Sequence, residues 1–353
     1  MRSLYIASTE GSGGKTTLAL GLSLALRARG LNVGYFKPVG IVPKGAHGDL
    51  VVDDAHFVAD VLGLDTPFVD LCPVVLDEGA LHEALAGSDG DTLARVVSAY
   101  DRVREGRDLV VCEGLGEIWQ GRFLQASGAD VVARLDLRAL IVARFAGARL
   151  LDDVCYVKDG LRDALLGAVF NMVPESRLAL VRGEYARFLD EQGIATYGVL
   201  PASQRLAAVT VSEIVAALGA TYICGEEHGD AVAETYLIGA MSAEHALRYF
   251  QNAAHKVVVV GGDRSEIILA ALETPTAAIV LTGNYVPSPA VLARADELGV
   301  PIVSVATDTV TAIDGVRRLF GQLGVHDRRK LDLIAGEIAA HVDLDRLVTD
   351  LGR

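Results

Sequence analysis

Ser8-Thr9-Glu10-Gly11-Ser12-Gly13-Gly14-Lys15-Thr16-Thr17 lies between a short apolar run, Leu4 to Ala7, and a strongly apolar helical pattern that starts at Lys15. Three glycines let a backbone turn its N–H groups inward, and a helix that begins directly after such a turn offers an anion a partial positive charge. Phosphate is the natural occupant. Lys15 is placed to reach the β and γ phosphates of a nucleotide and Thr16 to hold Mg²⁺, so Glu10, Gly11, Ser12, Gly13, Gly14, Lys15, Thr16 and Thr17 are the expected nucleotide contacts. The string is a near match to GxxxxGK[ST], with Thr9 where the pattern has Gly. Its strand-turn-helix setting separates it from an ordinary Gly-rich turn carrying a solvated lysine.

Working outward, Gly34-Tyr35-Phe36-Lys37-Pro38-Val39 puts a second lysine at the end of the second apolar run. Strand ends of this kind line the ligand crevice of open α/β sheets, so Lys37 is expected at the same anionic pocket. Glu113 closes the run Leu109-Val110-Val111-Cys112 and is followed by Gly114 and Gly116, while Asp54 follows Asp53 at the start of a helical pattern. Thr16, Asp54 and Glu113 together make a plausible Mg²⁺ set, since this ion takes one or two carboxylates, a hydroxyl, phosphates and water. The alternative for Asp54 is a carboxylate favoured by the helix dipole.

The rest of the chain has the same grain. Strands are expected at Ser3 to Ala7, Asn32 to Phe36, Asp108 to Cys112, Ala139 to Arg144, Leu166 to Asn171 and Thr196 to Leu200, with helices beginning near Lys15, Asp53, Gly90, Arg149 and Arg177. That alternation predicts an α/β fold with a mostly parallel sheet flanked by helices. A second unit opens with a helical pattern from Thr210 to Leu218 and repeats βα alternation at Val257 to Val260, Ala277 to Leu281 and Ile302 to Val305. Asp327 to Arg353 reads as an amphipathic helical tail with apolar Leu331, Ile334, Ile338, Val342 and Leu347. The expected division is 1–205, 206–325 and 326–353, which suits a chain of 353 residues.

Composition removes other classes. Asp plus Glu number 46 against 32 Lys plus Arg, a formal charge of -14, so a phosphate backbone would be repelled and no nucleic-acid partner is expected. Mean hydropathy is +0.35, yet every apolar run is broken well before a membrane span, and no export signal stands at the N-terminus. Four cysteines without CxxC spacing fit buried thiols in a reducing cytoplasm, the expected location. Eight histidines without HxH or HxxxH spacing give imidazole-metal chemistry no support, and neither Ser12 nor Ser265 has partners for a hydrolase triad.

Tyr5 to Val39, with its Thr-Glu-Gly-Ser-Gly-Gly-Lys-Thr-Thr loop and Lys-Pro-Val end, resembles the dethiobiotin synthetase-like P-loop NTPase domains. That group includes cobyrinic acid a,c-diamide synthase and the N-terminal domain of long phosphotransacetylases. Cys112-Glu113-Gly114, Gly167-Ala168-Val169-Phe170-Asn171 and Gly198-Val199-Leu200-Pro201 match later elements of the family. The resemblance implies ATP with Mg²⁺ held by Lys15, Thr16, Asp54 and Glu113, a substrate-side lysine at Lys37 and adenine recognition by Asn171. The loop departs from the Gly-Thr-Asp-Thr of dethiobiotin synthetase, and Gly40-Ile41 replaces a small hydroxyl residue, so diaminopelargonate is not carried over as substrate. Glu10 stands where septum-site and chromosome-partitioning ATPases have a signature lysine, which argues against that branch.

Downstream, Gly261-Gly262-Asp263-Arg264-Ser265 and Ile279-Val280-Leu281-Thr282-Gly283-Asn284 resemble the DRTGG domain, with Asn284 in place of its final glycine. A DRTGG domain follows the synthetase-like domain in long phosphotransacetylases, so the chain is similar to the N-terminal regulatory portion of such a protein. No C-terminal stretch is long enough for the acetyltransferase domain, and acetyl transfer by this chain alone is not expected. Two other readings stay open: an ATP-dependent synthetase activating a small carboxylate or carbamate, with Lys15 and Lys37 as its catalytic residues, and a non-enzymatic scaffold. A homodimer and an acetate-metabolism enzyme are the expected partners.

Overall fold

The computed structural model describes residues 3–11, 13–41, 53–86, 91–321 and 327–352. They belong to two compact units, Met1–Ala202 with Val325–Arg353, and Ser203–Gly324.

The first unit is built on six parallel strands: β1 (Leu4–Ser8), β2 (Val33–Phe36), β3 (Leu109–Glu113), β4 (Arg138–Arg144), β5 (Leu165–Val173) and β6 (Ala195–Pro201), in the order β2-β3-β1-β4-β5-β6. Side chains alternate across each strand, so Leu4 and Ile6 enter the core on one face and Tyr5 and Ala7 the core on the other. Burial on both faces is why these runs are apolar throughout. Helix α1 (Lys15–Ala28) covers the Leu4 face with Leu18, Leu22 and Leu26, all buried. Strand order reverses beside β1, which opens a crevice at the carboxyl end of that strand, where the glycine loop begins. Helix α2 (Asp53–Val61) starts the segment that brings Asp54 to the same edge.

The C-terminal helices Leu331–His341 and Leu344–Leu351 pack on this unit. Gly21 of α1 allows the close approach: a Cβ there would lie 2.5 Å from Ile338 Cγ1 and 3.0 Å from Ile334 Cγ2. Val342 bridges antiparallel to Gly198, and the Asp343 N–H donates to the Tyr197 carbonyl at 2.8 Å, so the tail occupies the edge of β6. The Tyr197 hydroxyl also donates to Asp350 at 2.8 Å. The tail thus takes up the middle of an edge that would otherwise be open to pairing.

Among the described residues the main sheet of the second unit has five strands, β7 (Thr221–Cys224), β8 (Thr235–Ile238), β9 (Lys256–Gly261), β10 (Thr276–Thr282) and β11 (Ile302–Val305), in the order β7-β11-β10-β9-β8, and Val209–Thr210 pairs separately with Val232–Ala233. Within that five-stranded sheet the β7 to β11 pairing is antiparallel and the other three are parallel. A capping box of Thr210 and Glu213 starts the helix Val211–Leu218.

Most expected elements form within a residue or two of their predicted bounds. The helix predicted near Gly90 is Thr92–Arg104, capped by the Asp91 side chain; Gly90 itself lies outside the described residues. The helix Ala243–Phe250 and a short parallel ribbon of Val39–Ile41 with Val74–Leu76 were not anticipated. Among the described residues no helix is long and apolar enough to cross a membrane.

Lys256, at the start of β9, is completely buried, and its ammonium donates to the carbonyls of Ala253 (3.2 Å) and Pro275 (2.9 Å). Burial lowers its pKa from 10.5 to about 8. The unfolded lysine keeps its proton up to 10.5 while the folded one releases it near 8, so between those values the unfolded chain binds more protons and stability rises with pH. Urea midpoints of the wild type should therefore gain on those of Lys256→Met as pH rises from about 8 towards 10.5. A constant difference across that window would show that the folded ammonium titrates normally.

Candidate functional site

The loop between β1 and α1 is braced from within. The Ser8 hydroxyl donates to the Glu10 carbonyl (2.7 Å) and accepts from the Glu10 N–H (3.2 Å). Gly13 packs so closely on Ser8 that a Cβ would lie 2.2 Å from its Oγ, and Gly14 is left-handed at φ +95°. Only glycine meets both demands without strain. Ser12 lies outside the described residues. Among the described residues no side chain caps α1, and its first turn holds no acidic residue, so the first-turn N–H groups and dipole remain suited to an anion.

Lys15 is buried and folds back over the loop, donating to the Gly11 carbonyl at 3.1 Å and the Glu10 carbonyl at 3.5 Å. Burial lowers its pKa to about 8, with the neighbouring Lys37 adding to the fall while Glu113 opposes it. The Thr17 hydroxyl is buried with no hydrogen-bond partner among the described residues. An orphaned hydroxyl next to an uncapped helix start suits a ligand rich in acceptor oxygens. Glu10 Oε1 is likewise without a hydrogen bond among the described residues, with Arg144 Nε 3.9 Å away.

Beside the loop, the other predicted polar residues converge. Lys37 Nζ donates to Asp54 Oδ2 at 2.5 Å and Glu113 Oε1 at 2.9 Å, and the Thr16 hydroxyl donates to the same Glu113 oxygen at 2.7 Å. Glu113 and Lys37 are almost wholly buried; Asp54 is about one third exposed. Burial disfavours the Lys37 charge, but Glu113 and Asp54 outweigh it and hold the ammonium above its ordinary pKa. Strand pairing explains the meeting of Lys37 and Glu113: β2 lies beside β3 with Phe36 opposite Cys112.

Tyr35 was missed. Its hydroxyl donates to Glu113 Oε2 at 2.8 Å, and burial, reinforced by Glu113, keeps the phenol protonated. The signal was available, because period two puts Tyr35 and Lys37 on one side of the same run. Ser8 and Arg144 were also passed over; nothing local marks either.

Asn171, at the end of β5, is buried against the loop instead of standing open to a crevice. Its Nδ2 donates to the Gly13 carbonyl and its Oδ1 accepts from the Met172 N–H, both at 2.9 Å.

Among the described residues no group of three or more His, Cys, Asp or Glu gathers as a metal cage. Thr16, Asp54 and Glu113 nevertheless share one hydrogen-bonded cluster of hard oxygen donors. That donor set fits Mg²⁺, which commonly takes its remaining oxygens from phosphate and water.

A family model described as an AAA domain matches residues 2–210, more than half of the chain. The chain belongs to this AAA domain family. Following the AAA domain, a DRTGG domain model matches residues 213–319, so the expected pairing of a P-loop domain with a DRTGG domain is present. The chain is 26% identical to a phosphate acetyltransferase of Pseudomonas aeruginosa over 98% of its own length and 52% of the relative's. It is 30% identical to the ATP-dependent dethiobiotin synthetase BioD of Caldicellulosiruptor bescii, over 33% of this chain and 49% of that one. The chain spans about half the length of the curated relatives it matches. Among solved structures it is similar to the CBS and DRTGG domains of a Clostridium perfringens pyrophosphatase regulatory region, at 17% identity and a TM-score of 0.29, over 46% of this chain and 75% of that one.

Proposed function

We propose that the AAA domain binds ATP with Mg²⁺ and that the chain acts as a nucleotide-responsive regulatory part of a phosphotransacetylase-like system. The observation that carries this reading is the buried Lys15 and orphaned Thr17 at an uncapped helix start, next to the Lys37, Asp54, Glu113 and Thr16 cluster. Lys15 and the loop N–H groups neutralise phosphate charge, and Thr16, Asp54 and Glu113 are the residues that would hold Mg²⁺. When bound, the ion supplies further charge neutralisation on the phosphates. Because the chain carries a net charge of -14, anion binding has to come from this local set.

The reading places the protein in the cytoplasm, as a homodimer that meets an enzyme of acetate metabolism. A second reading, an ATP-dependent synthetase, is favoured by Lys37, a buried ammonium at the same strand edge as the loop. In that reading Lys15 stabilises the γ-phosphate as it leaves, and Lys37 orients a small carboxylate or carbamate acceptor.

A thermal-shift series with ATP, ADP and GTP, each with and without Mg²⁺ and small carboxylates, separates the readings. The regulatory reading expects a rise in Tm with Mg-ATP, a change in sizing profile with nucleotide and no acceptor-dependent ADP release. Acceptor-dependent ADP release that disappears in Lys37→Ala supports the synthetase. A flat response to every nucleotide sinks both and leaves a scaffold.

A further inference from the structure

We propose that Asn171 is a positioning residue that aims the phosphate loop, acting through the Gly13 carbonyl. The inference rests on the nucleotide-binding reading of that loop. The Met172 N–H can only donate, so the Asn171 atom facing it is the carbonyl oxygen, and the amide nitrogen is thereby turned to the Gly13 carbonyl. The side chain is buried, and both contacts are 2.9 Å long, so its orientation is set from two sides. Met172 contributes by adopting φ +56°, an unusual conformation for a side chain of its kind, and its N–H is held by the side chain of the residue before it.

Holding the Gly13 carbonyl has a definite effect on the loop. In a trans peptide the carbonyl and the following N–H point in opposite directions, so anchoring Gly13 C=O towards Asn171 aims the Gly14 N–H away from it. Gly13 and Gly14 have no Cβ to restrict the peptide between them. The brace therefore comes from outside the loop, from a residue 158 positions away at the end of β5. Ser8 backs the other side, where a Gly13 Cβ would lie 2.2 Å from its Oγ. Lys15 follows directly after Gly14, so the same anchor orients the start of α1.

The competing role for Asn171 is to read a nucleobase, and the two roles differ in what a base-free ligand feels. Asn171→Asp keeps an acceptor for the Met172 N–H and removes the donor to Gly13. The brace expects Mg-ATP, Mg-GTP and Mg-tripolyphosphate to lose affinity by a similar factor, about tenfold for one buried hydrogen bond. Loss confined to ATP, with tripolyphosphate unchanged, assigns Asn171 to the base and overturns the brace, and so does full retention of all three affinities. Hydrogen exchange in ligand-free protein supplies a second measurement that needs no ligand. Asn171→Asp and Asn171→Ser should speed exchange at the amides of Gly13 to Lys15 while β4 stays protected; unchanged loop exchange overturns the proposal. Wild-type protein that binds none of the three ligands refutes the nucleotide reading alone, and the exchange result then decides the brace.

Discussion

Lys15→Ala is expected to remove the rise in Tm that Mg-ATP gives the wild type while moving the ligand-free Tm little. Ligand at a hundredfold excess over Kd stabilises a protein by about 2.7 kcal/mol, which a thermal melt resolves easily. In the free protein the Lys15 ammonium has, among the described residues, the Gly11 and Glu10 carbonyls as acceptors, and its burial opposes its charge. Losing it there costs two modest bonds and relieves desolvation. With nucleotide present the same group makes hydrogen bonds to charged oxygens, each worth about 1.5–3 kcal/mol, so two such bonds imply at least roughly a hundredfold weaker binding. A variant that keeps the wild-type shift would show that phosphate does not sit on this loop.

Lys37→Met is expected to be the most destabilising single change in the cluster. The substitution is apolar and of similar length, but it strands the Glu113 carboxylate, which is almost fully buried, with Tyr35 and Thr16 as its remaining donors among the described residues. Breaking a buried pair by removing one partner costs about 3–5 kcal/mol. Asp54 adds less, because it is about one third exposed and water can replace the lysine. The urea midpoint should fall accordingly, and Glu113→Gln in the same background should recover part of the loss by removing the unpaired charge. If Lys37→Met costs under about 1 kcal/mol, the cluster is far more hydrated than its burial implies.

The contrast between these variants shows where the sequence was informative. The loop was legible because its residues are contiguous: a strand, glycines, a lysine and two threonines carry the chemistry within ten positions. Lys37, Asp54 and Glu113 were legible as residue types at the right ends of elements. Their mutual contacts were not, since they depend on β2 lying beside β3 and on α2 returning Asp54 to the same edge. Asn171 is the instructive case: its position at a strand end was read correctly, but which way its amide faces depends on Gly13 and on the backbone of Met172. The tail was readable as amphipathic, yet nothing in its own pattern names Gly21 as the place where Ile334 and Ile338 settle.

Gly21 and the return of the tail have a practical meaning for how this protein can be cut. The chain leaves the first unit after Ala202 and comes back to it from Val325, so the second unit is spliced into the first in the manner of an inserted cassette. A fragment ended after β6 would bare the Gly21 face of α1 and open the outer edge of β6 at Tyr197 and Gly198. The natural minimal piece is discontinuous, joining β6 to the helices Leu331–His341 and Leu344–Leu351 through a short linker across the excised cassette. Gene fusions, tags and truncations that respect that seam keep the glycine loop on its native support.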